Sequence, residues 1–272
     1  MQLVKKTIVI TGSSSGIGRG IVEHLAHRNN NLCLFARNES ALQELKSRIE
    51  SAGSRCEIFV GDLRKPNEIA EAHRQFRQKF SAIDAVILSA GVSEYTHVDH
   101  LRLDHGQEMM EVNYFGALHW IDRVLPEMVE RKSGLIAAVT ALGSFRGMPA
   151  GGFYCASKAA LTSFLESIRL DLRSSQIQVS TILPGFVDTP MARKYDYHMP
   201  MMWDVPKAAK HIVARLESGH REIAFPWLLA FVTKLLRAFP PALYDSFFAK
   251  IAEEARAKGK AALSRDKSAA GQ

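Results

Sequence analysis

Apolar residues along this chain fall into two alternating patterns. Short runs rich in Val and Ile, at 7–11, 31–36, 55–60, 84–88, 134–140, 177–183 and 222–225, read as strands. Between them apolar positions recur at helical spacing, as in Ile17, Ile21, Val22 and Leu25, or Ala41, Leu42, Leu45 and Ile49. The same period runs through 67–80, 104–131, 154–175 and 206–218. Strands alternating with helices imply right-handed crossovers and a parallel sheet covered on both faces. The pattern therefore predicts an α/β chain, a single-domain doubly wound Rossmann-like fold with a sheet of about seven strands. In such a sheet the ligand crevice lies at the carboxyl ends of the strands.

The alternation ends near Phe225-Pro226, so residues 1–226 read as the main body. Residues 227–250 read as an amphipathic helical extension of the same domain. Trp227, Leu228, Phe231, Val232, Leu235, Leu236 and Phe239 are set against Lys234 and Arg237, and a second short helix after Pro240-Pro241 carries Leu243, Tyr244, Phe247 and Phe248. Its apolar face suits packing on a substrate loop, an oligomer contact or a peripheral membrane interface. Residues 251–272 read as a polar, frayed tail.

Composition narrows the classes of function. The formal net charge is +7, yet the basic residues are dispersed and no common nucleic-acid motif is present, so no nucleic-acid partner is expected. Part of the surplus sits in the tail, where Lys250, Arg256, Lys258, Lys260, Arg265 and Lys267 face only Glu253, Glu254 and Asp266. No window approaches the roughly 18 uninterrupted apolar residues of a membrane span. The N-terminus passes directly into Thr7-Ile8-Val9-Ile10, which reads as a first strand and not a signal peptide. Cys33, Cys56 and Cys155 are odd in number and widely spaced, as expected of reduced, buried thiols in a cytoplasmic protein. The histidines show no metal-ligand spacing, and no metal is expected.

Two motifs carry candidate chemistry. Tyr154 and Lys158 stand one helical turn apart, so a phenol and an ammonium can point into one cleft. A neighbouring ammonium favours the phenolate and makes a tyrosine a usable proton donor and acceptor. Upstream, Thr11-Gly12-Ser13-Ser14-Ser15-Gly16-Ile17-Gly18 occupies the turn from the first strand into the first helix. Glycines there let backbone amides approach a ligand, and the free N–H groups of a helix start bind phosphate.

With these motifs the chain resembles the short-chain dehydrogenase/reductase family over roughly residues 5–225. The resemblance rests on Thr11-Gly-x-x-x-Gly-x-Gly18, Asp62, Ala90-Gly91, Asn113, Tyr154-x-x-x-Lys158 and Pro184-Gly185-x-x-x-Thr189, in that order. It implies a nicotinamide dinucleotide held by Gly12, Ser14, Ser15, Gly16, Ile17 and Gly18, by Asp62 and Leu63 near the adenine, and by Ala90 and Gly91 along the ribose. Pro184, Gly185, Val187 and Thr189 would meet the nicotinamide carboxamide. Arg37 stands where the family places its cofactor selector, and an arginine there favours the 2′-phosphate of NADP(H) over NAD. Glu39, two residues on, is a feature against that choice. The family normally has two asparagines before Ala90-Gly91, where this chain has Leu88 and Ser89.

For catalysis the resemblance implies Tyr154 as acid/base, Lys158 holding the cofactor ribose, and Asn113, forty-one residues before Tyr154, anchoring a water in the proton relay. Tyr154 would contact substrate as well as cofactor. A fourth member, normally a serine thirteen residues before the tyrosine, is Ala141 here. Losing one such donor costs on the order of 10²–10³ in turnover. Three explanations fit Ala141: a substitution made to trap a complex, a variant compensated by Thr140 or Ser144, or a protein that binds NADP without turnover. Thr140 should point to the opposite face of its strand, while Ser144 lies in the following loop.

The expected substrate is a small-molecule hydrophobic ketone or aldehyde, or its alcohol. That expectation rests on the loop after Thr189, with Met191, Tyr195, Tyr197, Met199, Met201, Met202 and Trp203, and on Phe145 and Phe153. Family analogy implies a homodimer or homotetramer paired through the helices at 104–131 and 154–175.

Overall fold

In the computed structural model the protein is described over residues 1–196 and 198–270, with side chains as far as Lys258. Tyr197 and the side chains of Lys260, Arg265, Asp266 and Lys267 lie outside the described residues. Seven strands, β1 (Thr7–Thr11), β2 (Asn31–Ala36), β3 (Arg55–Val60), β4 (Ala85–Leu88), β5 (Gly134–Val139), β6 (Ile177–Pro184) and β7 (Glu222–Phe225), form one sheet. All pairs are parallel and the order is β3-β2-β1-β4-β5-β6-β7. The chain winds outward from β1 to β3, then crosses back to β4 on the other side of β1. That reversal opens a crevice at the carboxyl ends of β1 and β4.

Helices cover both faces because the strands are apolar on both. Ile8, Ile10, Leu32, Leu34 and Ile87 point into one layer, with Ile21 of α1 (Gly16–Leu25), Leu45 of α2 (Glu39–Ser51) and Ile212 of α7 (Val205–Glu217). Val9, Phe35, Val86 and Leu88 point into the other, with Phe76 of α3 (Pro66–Lys79), Trp120 of α5 (Gly116–Glu130) and Leu161 of α6 (Gly152–Asp171). Asn38 caps α2 by accepting the Ala41 N–H at 3.0 Å, and Asp204 caps α7 through Lys207 N at 2.7 Å. The three cysteines are buried free thiols, as expected.

The single helix expected at 104–131 is interrupted. α4 (Leu103–Met110) passes into a π turn, Glu111–Phe115, before α5 begins. Such single-turn π segments are frequent at functional sites.

The C-terminal region departs furthest from the sequence reading. α8 (Trp227–Arg237) is followed by one helix, α9 (Pro241–Ala270), where a short helix and a frayed tail are expected. The Ala-, Glu- and Lys-rich stretch after Phe248 has high helix propensity. Two of its basic residues also have partners: Arg256 pairs with Asp99 at 2.7 Å, and the Lys258 ammonium donates to the Asp196 carbonyl at 2.5 Å. α9 thereby spans from the β4–α4 connection to the loop before α7. The elbow between α8 and α9 is gripped by Arg146, whose Nη1 donates to the Leu236 and Phe239 carbonyls at 2.7 and 2.8 Å. The same guanidinium lies 3.8 Å from the Tyr244 ring centroid, and the Tyr244 hydroxyl donates to Gly147 O at 2.6 Å.

Trp120 anchors the second layer, fully buried, edge-on to Phe35 (5.6 Å) and stacked with Phe76 (6.3 Å). Its indole N–H has no partner among the described residues. Trp120→Ala is expected to cost about 3–5 kcal/mol in urea unfolding, and Trp120→Phe distinctly less. A loss under about 1 kcal/mol for the alanine variant would contradict this packing.

Candidate active site

The carboxyl ends of β1, β4, β5 and β6 open into one cavity of about 1360 Å³, which reaches outward to α8 and α9. That exceeds the ~300–1,000 Å³ of a pocket for one ligand, as suits a site with room for a cofactor and a second molecule. At its inner end lies the glycine turn. Gly12 (φ 64°) and Gly16 (φ 54°) adopt backbone angles that disfavour side chains. A Cβ on Gly12 would stand 2.6 Å from Ala90 Cα, so the turn lies directly against the end of β4. Ser15 is the N-cap of α1 but makes no side-chain capping bond, which leaves the first-turn N–H groups without that internal partner. Ser14, Ser15, Gly16 and Ile17 line the cavity here. Gly18 does not; it sits beneath the turn, where a Cβ would be 2.4 Å from Gly12 O. The cradle fits a dinucleotide pyrophosphate: close backbone, no obstructing side chains and an uncapped helix start.

Arg37 lies exposed on the cavity wall at the end of β2, one residue before the cap of α2. Among the described residues no carboxylate stands within ion-pair distance of it, Glu39 included. Asp62 and Leu63 also line the cavity. Hydrogen bonds from Arg64, with Nη2 at 2.5 Å, hold the Asp62 carboxyl below its usual range, and the Arg37 charge adds to this. Asp62 is not the cap of α3, whose N-cap is Lys65.

Ala90 and Gly91 line the cavity after β4, and Gly91 has a specific steric task. A Cβ there would lie 3.2 Å from both Asn113 Oδ1 and Lys158 Nζ. Asn113, 1 % exposed in the π turn, does not line the cavity. Its Oδ1 accepts the Val92 N–H at 2.8 Å, while Nδ2 donates to Val92 O and Ser157 Oγ, both at 2.9 Å. The side chain thus pins the β4–α4 connection to α6 at Ser157, the residue before Lys158.

Tyr154 is half-buried and lines the cavity from α6. Lys158 Nζ lies 6.0 Å from its ring centroid. Lys158 is 3 % exposed, and its ammonium donates to Val139 O at 2.9 Å. Burial pushes its pKa down to about 8. An ammonium has three N–H donors, so a polar guest with hydroxyl oxygens suits this position.

Ala141 lines the cavity and offers no donor. Neither neighbour substitutes for it. The Thr140 hydroxyl donates to Ile182 O at 3.1 Å. Ser144, expected at the substrate, does not line the cavity; it closes the short turn Leu142–Ser144 and its hydroxyl is buried without a partner among the described residues. Pro184, Gly185, Val187 and Thr189 line the wall beyond β6, where Thr189 Cγ2 would be 3.2 Å from a Cβ on Gly16.

The substrate side needs more correction. Met191, Tyr195 and Met199 line the cavity, but Met201, Met202, Trp203, Phe145 and Phe153 do not. A parallel bridge between Val187 and Trp203 ties the loop at its base, and Trp203 stacks on Phe225 at 5.0 Å. Sequence reasoning missed Ser93, whose hydroxyl accepts from Tyr195 at 2.7 Å, and Tyr95, edge-on to Tyr195 at 4.7 Å. It also left open what α8 and α9 pack on; Leu229, Val232, Leu236, Tyr244, Phe248 and Ile251 line the cavity. Their helical spacing is visible in the sequence, but spacing does not say which neighbour a face meets.

Residues 6–199 match the short chain dehydrogenase family. An uncharacterized oxidoreductase of Myxococcus xanthus is 33% identical over 245 residues, 90% of this chain and 97% of its own length. A fatty acyl-CoA reductase of Acinetobacter baylyi is 32% identical over 188 residues, 68% of this chain and 64% of its own length. A short-chain dehydrogenase from Sphingobium yanoikuyae in complex with NADPH shares the fold with a TM-score of 0.76 at 22% identity, covering 87% of this chain and 97% of that one. For a Burkholderia phymatum short chain dehydrogenase/reductase in complex with NAD the TM-score is 0.78 at 21% identity, covering 85% and 93%. Motifs, sheet order and these relatives agree: the chain belongs to the short-chain dehydrogenase/reductase family of oxidoreductases.

Proposed function

We propose that the protein is an NADP(H)-dependent reductase or dehydrogenase that interconverts a hydrophobic ketone or aldehyde and its alcohol. The observation that carries this reading is Lys158, an ammonium buried beside Tyr154 with its pKa pushed down to about 8, at the cavity that the glycine turn enters. Bound along that turn, the dinucleotide supplies or accepts the hydride. Gly12, Ser14, Ser15, Gly16 and Ile17 hold its phosphates, and Arg37 with the start of α2 receives the 2′-phosphate. Lys158 donates to ribose hydroxyls, and its charge favours the phenolate of Tyr154. Tyr154 then gives a proton to the carbonyl oxygen in reduction, or takes one from the alcohol in oxidation. Asn113 holds the β4–α4 connection against α6, which keeps that path in place. Apolar cavity residues such as Leu142, Met191 and Leu236 favour a hydrophobic substrate, in keeping with the acyl chemistry named for the Acinetobacter baylyi relative.

Ala141 supports a second reading, a dinucleotide-binding protein without turnover. The two are separated by following NADPH absorbance against a panel of hydrophobic ketones. In Ala141→Ser, turnover is expected to rise on the order of 10²-fold as an oxyanion donor is restored. NADPH binding without oxidation in both proteins would favour the second reading.

The buried ammonium also predicts a stability trade-off. Lys158 holds its proton less tightly in the folded protein, at about 8, than at the ordinary 10.5, so folding is penalised below pH 8 and the penalty fades as pH rises toward 10.5. Lys158→Met should therefore stabilise the ligand-free protein near pH 7 by on the order of 1–2 kcal/mol, after allowing for the orphaned Val139 carbonyl. Thermal unfolding from pH 7 to 10.5 should show that advantage shrinking, and the variant should bind NADPH more weakly than wild type. A variant less stable than wild type at pH 7 would contradict it.

A further inference from the structure

We propose that α8 and α9 form a channel for a long aliphatic chain carried by the substrate, so that this protein takes long-chain carbonyl compounds in preference to compact ketones. The inference rests on the reading of the cavity as a carbonyl-reductase site and adds the class of molecule it takes. Leu229, Val232 and Leu236 recur at one-face spacing on α8, as do Tyr244, Phe248 and Ile251 on α9, and all line the same cavity as Tyr154 and Ala141. The wall continues along α9 to Ala255. From Tyr244 that is about 16 Å of helix, well beyond the reach of a short ketone held at Tyr154.

The hydroxyls in this outer part are already engaged. The Thr233 hydroxyl donates to Leu229 O at 2.8 Å, and the Tyr244 hydroxyl to Gly147 O. A sugar or other polyhydroxylated tail would find few partners on these two helices, since the polar side chains Glu94, His97, Lys194, Asp196 and His198 that also line the cavity come from the loops after β4 and β6. Among the described side chains of α9, the charged ones that line the wall are Glu254 and Lys258, beyond Ile251. The wall is also incomplete by itself: Val232 is 39%, Phe247 60% and Ile251 50% exposed although each lines the cavity. An apolar chain lying between the helices would cover them. The two helices are not loosely attached, because Arg146, in the loop that leads into α6, clamps their elbow. Continuity with the catalytic cavity favours a substrate chain over a second copy of the protein as the occupant.

The test measures the affinity of straight-chain 2-alkanones, from 2-pentanone to 2-undecanone, for the NADP⁺-loaded protein and for the protein alone. With oxidised cofactor a ketone cannot be reduced, so binding is read without turnover. Affinity should tighten roughly 2- to 4-fold per added methylene. Phe247→Asp and Ile251→Asp change exposed positions and should flatten that dependence at the longer lengths. Trp227→Asp, 76% exposed and outside the cavity, should keep the wild-type slope. Affinity independent of length, or a slope untouched by Phe247→Asp, would overturn the proposal. A flat slope with Phe247→Asp shifting the sedimentation coefficient would overturn it in favour of a contact between copies. Failure to bind NADP⁺ would instead overturn the nucleotide reading, with the chain-length slope still read on the protein alone.

Discussion

The burial of the Lys158 ammonium is the constraint on which the site depends. Its hydrogen bond to Val139 O ties it to the last residue of β5, while Gly91 after β4 lacks the Cβ that would crowd it. Asn113 fixes the same β4–α4 connection to Ser157, the residue before Lys158. The charge therefore sits where β4, β5, α6 and the π turn converge, at a position that burial penalises. A charge in such a place is retained when a ligand or a neighbouring reactive group requires it. Tyr154, the proposed acid/base, stands one turn earlier on the same helix.

Around this charge the protein divides its labour by polarity. The inner half of the cavity is backbone and small residues, suited to phosphates and ribose. The outer part is lined by the loops after β4, β5 and β6, which carry Glu94, Arg146, Lys194 and Asp196, and by the mainly apolar faces of α8 and α9, elements outside the 6–199 stretch that matches the family. Ala141 stands at the boundary. A site with one oxyanion donor fewer relies more heavily on positioning, and apolar contact along an extended substrate is one way to supply that positioning.

Much of this was legible in the sequence. All seven strands fall within a residue of where their apolar runs predict; the central strands, buried on both faces, leave unbroken apolar runs, while the edge strand β3, with Arg55 and Glu57, is only partly buried. The glycine turn and the Tyr154–Lys158 spacing were legible for the same reason: each is local, set by backbone angle or helix pitch. What escaped was long-range or depended on hydrogen-bond register. The π turn at Asn113 changes the helix by one residue per turn, below what apolar periodicity resolves. Ser144 and Trp203 are near the site in sequence but turn elsewhere, one into a short helical turn and the other onto Phe225. The tail reads as frayed from composition, whereas its partners Asp99 and Asp196 are more than sixty positions away in the chain.

The most direct measurement is calorimetric: proton uptake when NADPH binds at pH 8.5, obtained from titrations in buffers of different ionisation enthalpy. With the free pKa of Lys158 at about 8, the ammonium is mostly deprotonated at that pH. Donation to the bound ribose should raise that pKa, giving an uptake of roughly 0.5–0.8 proton per site that disappears in Lys158→Met. Binding with no proton uptake, or an uptake unchanged in the variant, would contradict a cofactor seated on this buried charge.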